Sequence, residues 1–104
     1  MDFQLGCNYW ASHAGVYMWR NWDRAVVEAD LARLSRCGVN VLRVFPLWPD
    51  FQPLTRLLSN GGSELRHGDT PLDRTTPEGL AGVDAQMMHR FEELLSIAEQ
   101  HRMR

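Results

Sequence analysis

Residues 38–53, GVNVLRVFPLWPDFQP, begin as a buried strand and turn abruptly into a rigid aromatic loop. Apolar side chains dominate residues 39–45, which is typical of a parallel strand that is covered on both faces. A permanent positive charge, Arg43, lies near the carboxyl end of this strand, and prolines alternate with aromatic rings over residues 46–53. The stretch therefore predicts a strand whose end carries a polar function and a stiff loop beyond it.

The residues before this strand predict a parallel β-α-β unit. Residues 3–8 alternate apolar and polar side chains, as a short strand does. A helix is predicted for residues 23–37, with Asn21 or Asp23 as its N-cap and Gly38 as its stop. Its apolar side chains recur at helical spacing and are Val26, Val27, Leu31, Leu34 and Cys37.

Asp30 is the exception within the apolar stripe of this helix. An unpaired buried charge is costly, so its carboxylate is predicted to be bonded to a backbone amide or to an arginine. The aromatic residues that precede the helix, Tyr17, Trp19 and Trp22, are predicted to pack, with Trp22 against the helix start.

The second half of the chain predicts one long loop and a second helix. Residues 54–83 contain glycines and prolines without a sustained period, which favours a loop, and no third strand is predicted. A helix is predicted for residues 84–101, with Glu92 and Glu93 facing water. Its apolar stripe comprises Met87, Met88, Phe91, Leu94, Leu95 and Ala98. Two parallel strands and two helices cannot cover both faces of a sheet, so the chain is predicted to be part of a larger α/β fold. The alternatives are a domain completed by self-association and a chain that is disordered in isolation.

The composition narrows the function classes. The chain has 104 residues and a formal net charge of −2, which argues against binding to nucleic acid or to a membrane surface. It has no apolar run long enough for a membrane span and no signal-peptide pattern, so a cytoplasmic location is expected. Cys7 and Cys37 are predicted to be free and buried. The histidines lack metal-ligand spacing and no phosphate-binding loop is present, so neither a metal nor a cofactor is predicted.

Arg43 and two tryptophans are the candidate site residues that follow from the strand pattern. In a barrel of parallel strands, the active site forms at the carboxyl ends of the strands. Arg43 would point into that site and hold a carboxylate, whereas the alternative is a structural ion pair with a core carboxylate, either Asp30 or another helix residue. Trp10 and Trp48 follow the two strands, and their ring faces suit stacking on sugars. The alternative for Trp48 is packing beneath the rim of the barrel.

Three segments resemble a known family: LGCNYW (5–10), NWDRAVVEADLARLSRCGVNVLRVFPLWPDFQP (21–53) and VDAQMMHRFEELLSIAEQH (83–101). They look like the start of a glycoside hydrolase of clan A, and the likeness is greatest to family 5, the cellulase and β-mannanase type. The resemblance implies an α/β fold, namely the N-terminal part, about two βα units, of a (β/α)8 TIM barrel. Residues 1–104 would be one partial catalytic domain that stops before the third strand.

The resemblance also implies a retaining mechanism, in which two glutamates hydrolyse a β-glycosidic bond by double displacement. Both glutamates would lie on barrel strands beyond this chain, so the chain alone is expected to be inactive. Arg43 would hydrogen-bond the nucleophile, and the residues that help to line the sugar subsites would be Asn8, Tyr9, Trp10 and Trp48. The expected partners are a carbohydrate and either the remaining barrel segment or a second copy.

Two other functions are compatible with the sequence. One is a different barrel enzyme, such as a sugar isomerase or a phosphate-binding lyase, although no metal-ligand cluster or phosphate cradle is evident here. The other is a non-catalytic carbohydrate-binding or self-assembling module, which requires Trp10 and Trp48 to be exposed.

Overall fold

A computed structural model describes residues 3–59, 62–67, 70–71, 75, 77 and 82–104. The chain forms two compact units, one of Met1–Pro46 with His89–Arg104 and the other of Leu47–Met88. Among the described helices, none combines the length and the apolar character that a membrane crossing requires.

The first unit contains the predicted β-α-β arrangement. Strand β1 (Gly6–Asn8), helix α1 (Arg24–Arg36) and strand β2 (Val41–Arg43) follow one another along the chain. The two strands pair in parallel, because the helix between them returns the chain to the same end of the sheet. Both strands are shorter than predicted, since only three residues of each are in register.

The ends of α1 are set by the residues that the sequence indicated. The Asp23 side chain accepts hydrogen bonds from two free amides of the first turn, which makes it the N-cap. Gly38 follows the helix with φ of +90°, a backbone conformation that side chains disfavour. Val27 and Leu31 are fully buried. Cys37 is exposed, contrary to the prediction, because it caps the helix rather than continuing the buried stripe.

Tryptophans form the centre of this unit. Trp19 is fully buried, and its indole N–H donates to the carbonyl oxygen of Phe45 at 2.8 Å. Trp22 stacks on Trp19 with ring centroids 5.7 Å apart and donates its own N–H to Glu93 Oε2 at 2.7 Å. Glu93 is therefore a bonded, half-buried residue and not the solvated one predicted. The prediction that Tyr17 packs is also wrong, since it is 60% exposed.

The second long helix, α3 (Ala85–Gln100), buries a narrower face than predicted. Leu94, Ile97 and Ala98 are buried, whereas Met88 and Leu95 are exposed. Ile97 was absent from the predicted stripe. Apolar side chains occupy a wide arc of this helix, and its packing surface is centred closer to Ile97 than the sequence spacing indicated.

The last residue of the chain adds a third position to the parallel sheet. The amide of Arg104 donates to the Asn40 carbonyl at 2.9 Å, and the amide of Leu42 donates to the Arg104 carbonyl at 2.7 Å. These two bonds flank Val41 and follow the pattern of a parallel ladder. Arg104 thus lies on the edge of β2 opposite to β1, where a third parallel strand would lie.

The prediction of a loop for residues 54–83 is wrong, because the second unit contains strands in this segment. After the short helix α2 (Trp48–Phe51), strands β3 (Leu54–Ser59), β4 (Gly62–His67) and β5 (Thr70–Pro71) form an antiparallel sheet in that order. The sequence of β3 does not alternate between apolar and polar residues, so its pattern gave no strand signal. Much of the remaining segment, including residues 72–74 and 78–81, lies outside the described residues.

Candidate functional site

The carboxyl ends of β1 and β2 bring together four of the five predicted site residues. Asn8 lies directly opposite Arg43 in the parallel register. The amide of Tyr9 donates to the carbonyl of Arg43 at 2.9 Å, which extends the pairing by one residue beyond β1. Trp10 follows at once, so the turn after β1 begins beside the end of β2.

An aromatic stack forms at this strand end, consisting of Trp10, Phe45 and the guanidinium of Arg43. The rings of Trp10 and Phe45 are nearly parallel, with centroids 4.9 Å apart and an angle of 12°. The guanidinium carbon of Arg43 lies 5.2 Å from the centroid of the Phe45 ring, within the range of a cation–π interaction. Phe45 therefore links the predicted arginine to the predicted tryptophan.

The guanidinium of Arg43 is exposed, and no carboxylate within the described part of the chain forms an ion pair with it. The alternative of an ion pair with Asp30 does not hold, because the partners of Asp30 are other residues. The charge of Arg43 is thus accessible at the strand end. Its predicted role, orienting a nucleophile, stays a prediction.

Asp30 joins α1 to the turn after β1 through a group of three residues, called here the Asp30 cluster: Asp30, Tyr9 and Ser12. Asp30 Oδ2 accepts from the Tyr9 hydroxyl at 2.8 Å and from the Ser12 amide at 2.9 Å. Asp30 Oδ1 accepts from the Ser12 hydroxyl at 2.7 Å. The prediction of a carboxylate bonded to a backbone amide is therefore confirmed, and the amide is that of Ser12.

Tyr9 is 4% exposed, and its hydroxyl faces the Asp30 carboxylate. Burial raises the pKa of this phenol well above its usual range, and the hydrogen bond to Asp30 and the negative charge of Asp30 raise it further. In this structure the buried Tyr9 side chain holds the turn after β1 through its hydrogen bond to Asp30. A direct contact with sugar, as the sequence predicted, remains untested.

An open cavity of about 230 Å³ lies beside this turn. The cavity is lined by residues 7–10 and by Ser12, Asp30, Arg33 and Leu34. Among residues 7–10, Asn8 is the most exposed. The described residues contain no group of three or more side chains that could hold a metal ion.

Trp48, the fifth predicted residue, belongs to the second unit. It is the first residue of α2 and is 72% exposed. Packing of this ring beneath a rim, the alternative considered for it, does not occur within its unit as described. Its ring face is accessible to a ligand.

Sequence reasoning did not single out Phe45 as a site residue, and it predicted a bonded carboxylate at Asp30 without identifying its partners. A signal existed for each of these two residues. Strand alternation placed Phe45 on the same side as Arg43, and Asp30 interrupted an otherwise apolar stripe. The sequence pattern did not predict that Phe45 stacks on Trp10, because the two residues follow different strands.

A Tyr9→Phe substitution should change how stability depends on pH. The folded chain keeps the Tyr9 proton at a pH where the unfolded chain loses it, which is above about pH 10. The contribution of the Tyr9 proton to the free energy of unfolding is therefore fully present below about pH 10. It is lost as the pH rises further, by up to about 1.4 kcal/mol per pH unit. Urea unfolding followed by circular dichroism from pH 8 to 11 should show a shallower decline in Tyr9→Phe. Tyr17→Phe removes an exposed hydroxyl and is the matched control, and an equal change of slope in both variants would contradict the prediction.

No protein-family model and no curated protein matches the sequence significantly. Among solved structures, the chain is similar to the exo-β-1,4-mannosidase Op5Man5 from Opitutaceae bacterium strain TAV5. The TM-score is 0.68 and the sequence identity 29%, over 97% of this chain. The match spans 14% of the mannosidase chain, so this chain corresponds to a small part of that enzyme's length.

The comparison confirms the resemblance that the sequence indicated and the fold class that it implied. β1, α1 and β2 form a parallel βαβ unit, as in a partial α/β barrel. In fold and in sequence, the chain is similar to an N-terminal fragment of a (β/α)8-barrel glycoside hydrolase.

Proposed function

We propose that the chain is the N-terminal portion of a retaining β-glycoside hydrolase of the family 5 type, acting on β-linked hexose poly- or oligosaccharides. The observation that carries this proposal is the similarity to an exo-β-1,4-mannosidase over 97% of the chain. Retaining hydrolysis needs two carboxyl groups about 5 Å apart, a nucleophile and an acid/base. Both would come from barrel strands beyond this chain, so the chain alone is expected to be inactive.

The aromatic stack and Arg43 support a sugar site at the strand ends. Parallel barrels collect their active-site groups at this end of the sheet. An exposed guanidinium provides several donors in a fixed plane, which suits a carboxylate that must stay ionised and oriented. The Trp10 ring, fixed against Phe45, offers a flat apolar surface of the kind on which sugar rings stack.

The mannosidase similarity also guides the choice of substrate. Its substrate class, β-1,4-linked mannosides, is the first that we propose for this chain, with β-1,4-glucans as the second. The cellulase and β-mannanase likeness of the sequence supports the same pair of polymers.

The edges of the two-stranded parallel sheet support the proposal that further strands complete it. Arg104 already makes the backbone bonds of a third parallel strand with β2. Within the described residues, β1 pairs with β2 alone and leaves its other edge open. The remaining barrel segment is the proposed occupant, and a second copy of the chain is the alternative.

The proposal is tested by expressing the complete reading frame that includes this chain and supplying β-1,4-mannobiose, mannan and β-1,4-glucan. We expect release of reducing sugar, and proton NMR of the first product should show the β anomer, as double displacement requires. The α anomer as first product would contradict the retaining mechanism. No release from any of these substrates would contradict the proposed hydrolase.

A carbohydrate-binding module without catalysis is the second candidate. The 72% exposure of Trp48 favours it, whereas Trp10, which this function also requires to be exposed, is only partly exposed. Under both functions, Trp48→Ala should weaken saccharide binding about fivefold or more, since truncating an aromatic anchor of a binding site costs more than about 1 kcal/mol. The measurement is calorimetric titration with manno-oligosaccharides. Val16→Ala, at an exposed apolar residue of the first unit, is the control and should bind normally. Unchanged binding in Trp48→Ala would remove this ring from the site, and binding without hydrolysis by the complete protein would favour the module.

A further inference from the structure

We propose that Asp30 is a positioning residue, whose carboxylate fixes the turn after β1 so that Trp10 stays stacked on Phe45. Its value for a sugar site rests on the proposed function, whereas the positioning itself rests on the contacts of the described residues. Asp30 lies on α1, and its side-chain hydrogen bonds within the described residues go to Tyr9 and Ser12, not to the residues of the stack. It acts through Tyr9 and Ser12.

The first step of the argument is the geometry of the Asp30 cluster. Three donors reach one carboxylate at 2.7 to 2.9 Å, and they come from residues 18 and 21 positions away in the sequence. Hydrogen bonds to an ionised acceptor are stronger than those between neutral groups. The carboxylate therefore ties the turn to the middle of α1 and not merely to its own neighbours.

The second step is that both anchored residues flank Trp10. Tyr9 precedes it and is held twice, by its hydroxyl on Asp30 and by its amide on the Arg43 carbonyl. Ser12 follows two residues later and is also held twice, by its amide and its hydroxyl. With the chain fixed on each side, the Trp10 backbone has little freedom, and its ring lies flat against Phe45.

The third step is that a carboxylate suits this position better than any neutral side chain of the same shape. A carboxylate only accepts, and its two oxygens offer about four lone-pair sites for three donors. In Asp30→Asn the amide oxygen can accept from Tyr9 and from the Ser12 amide, and the NH2 group can donate to the Ser12 hydroxyl, but the acceptor charge is lost. Asp30→Asn therefore keeps the volume of the side chain and weakens the anchoring, because bonds between neutral groups are weaker than bonds to an ionised acceptor.

The experiment uses NMR of the full chain, labelled with ¹⁵N. The Trp10 indole resonance is identified by its absence in Trp10→Phe. In the wild type the Phe45 ring shifts the Trp10 ring protons away from their unfolded-chain positions. In Asp30→Asn, we expect these resonances to broaden or return towards the unfolded-chain positions, while the amide resonances of α1 keep their dispersion. Glu28→Gln removes the same charge from an exposed residue of the same helix and should leave Trp10 unchanged.

Ser12→Ala keeps the test decisive if Asp30→Asn does not fold. Ser12 is exposed, and the variant deletes only one of the three bonds, so the fold should persist and the Trp10 resonances should move part of the way. The proposal would be overturned if Asp30→Asn folds and keeps the wild-type Trp10 resonances. If Asp30→Asn does not fold, wild-type Trp10 resonances in Ser12→Ala would overturn it.

Addition of β-1,4-mannobiose to the same samples separates this proposal from the proposed function. A loosened stack in Asp30→Asn, with no sugar-induced shift of Trp10 even in the wild type, would support the positioning by Asp30 and count against a sugar site at Trp10. A sugar-induced shift in the wild type that is lost in Asp30→Asn would support both.

Discussion

Replacing Arg43 by alanine in the complete enzyme is expected to lower kcat about 100-fold or more and to leave KM nearly unchanged. The guanidinium is exposed at the strand end and, among the described residues, pairs with no carboxylate, so its charge is available to a group from the rest of the barrel. The proposed partner is the nucleophile, which Arg43 would keep ionised and oriented for attack without touching the sugar. Its loss should therefore slow the chemical step, which lowers kcat and kcat/KM alike, and leave substrate binding nearly unchanged. The measurement is steady-state kinetics on β-1,4-mannobiose.

Two further substitutions define what the Arg43 result means. Arg43→Lys keeps the charge but loses the planar set of donors, so we expect it to recover only part of the activity. Arg24→Ala removes an exposed arginine at the first position of α1 and should have normal kinetics. An unchanged kcat in Arg43→Ala would remove the residue from the active site. A large rise in KM alone would instead make it a binding residue.

Replacing Trp19 by alanine is expected to destabilise the chain by about 3–5 kcal/mol. Trp19 is fully buried, stacks on Trp22, and satisfies the Phe45 carbonyl with its indole N–H. The substitution leaves a large cavity and an unsatisfied acceptor together. Since small domains have total stabilities of about 5–15 kcal/mol, this loss is a large fraction of the free energy of unfolding.

Tyr17→Ala is the matched control for this prediction. Tyr17 lies two residues earlier and is 60% exposed, so its removal should change the free energy of unfolding by less than about 0.5 kcal/mol. Urea denaturation of both variants, followed by far-ultraviolet circular dichroism, gives the comparison. A loss of less than about 1 kcal/mol in Trp19→Ala would mean that the tryptophan core contributes little to the fold.

The parallel βαβ unit could be predicted from the sequence because each local signal agreed with the others. The cap at Asp23 and the stop at Gly38 indicated the ends of α1, and the apolar run after Gly38 indicated the position of β2, although not its length. Arg43 could be recognised because a permanent charge at the end of an apolar strand is unusual. The position of Arg43 near the other site residues could be predicted from strand alternation and from the rule that the carboxyl ends of parallel strands meet at the same edge of the sheet.

The antiparallel sheet of the second unit could not be predicted from periodicity. β3 places leucines at positions 54, 57 and 58, a spacing that fits neither a half-buried strand nor a helix. The dipeptide Asn60-Gly61 is typical of the tight turns between paired strands, but alternating apolar residues do not flank it, so the pattern around it does not indicate a hairpin.

The contacts between separate elements also could not be predicted from the sequence. The bond from Trp22 to Glu93 joins residues 71 positions apart, and no local pattern identifies such a partner. The Trp10–Phe45 stack and the burial of Ile97 have the same origin, since each depends on how separate elements pack. Periodicity identifies the face of an element but not its neighbours.

The reading frame beyond the Arg104 codon tests the central claim most directly. If the chain is the start of a barrel hydrolase, the frame continues from Arg104 into a strand parallel to β2 and later supplies two strand-end glutamates, one at the fourth strand and one at the seventh. A stop codon directly after Arg104, or a continuation that lacks either glutamate, would contradict the proposed hydrolase.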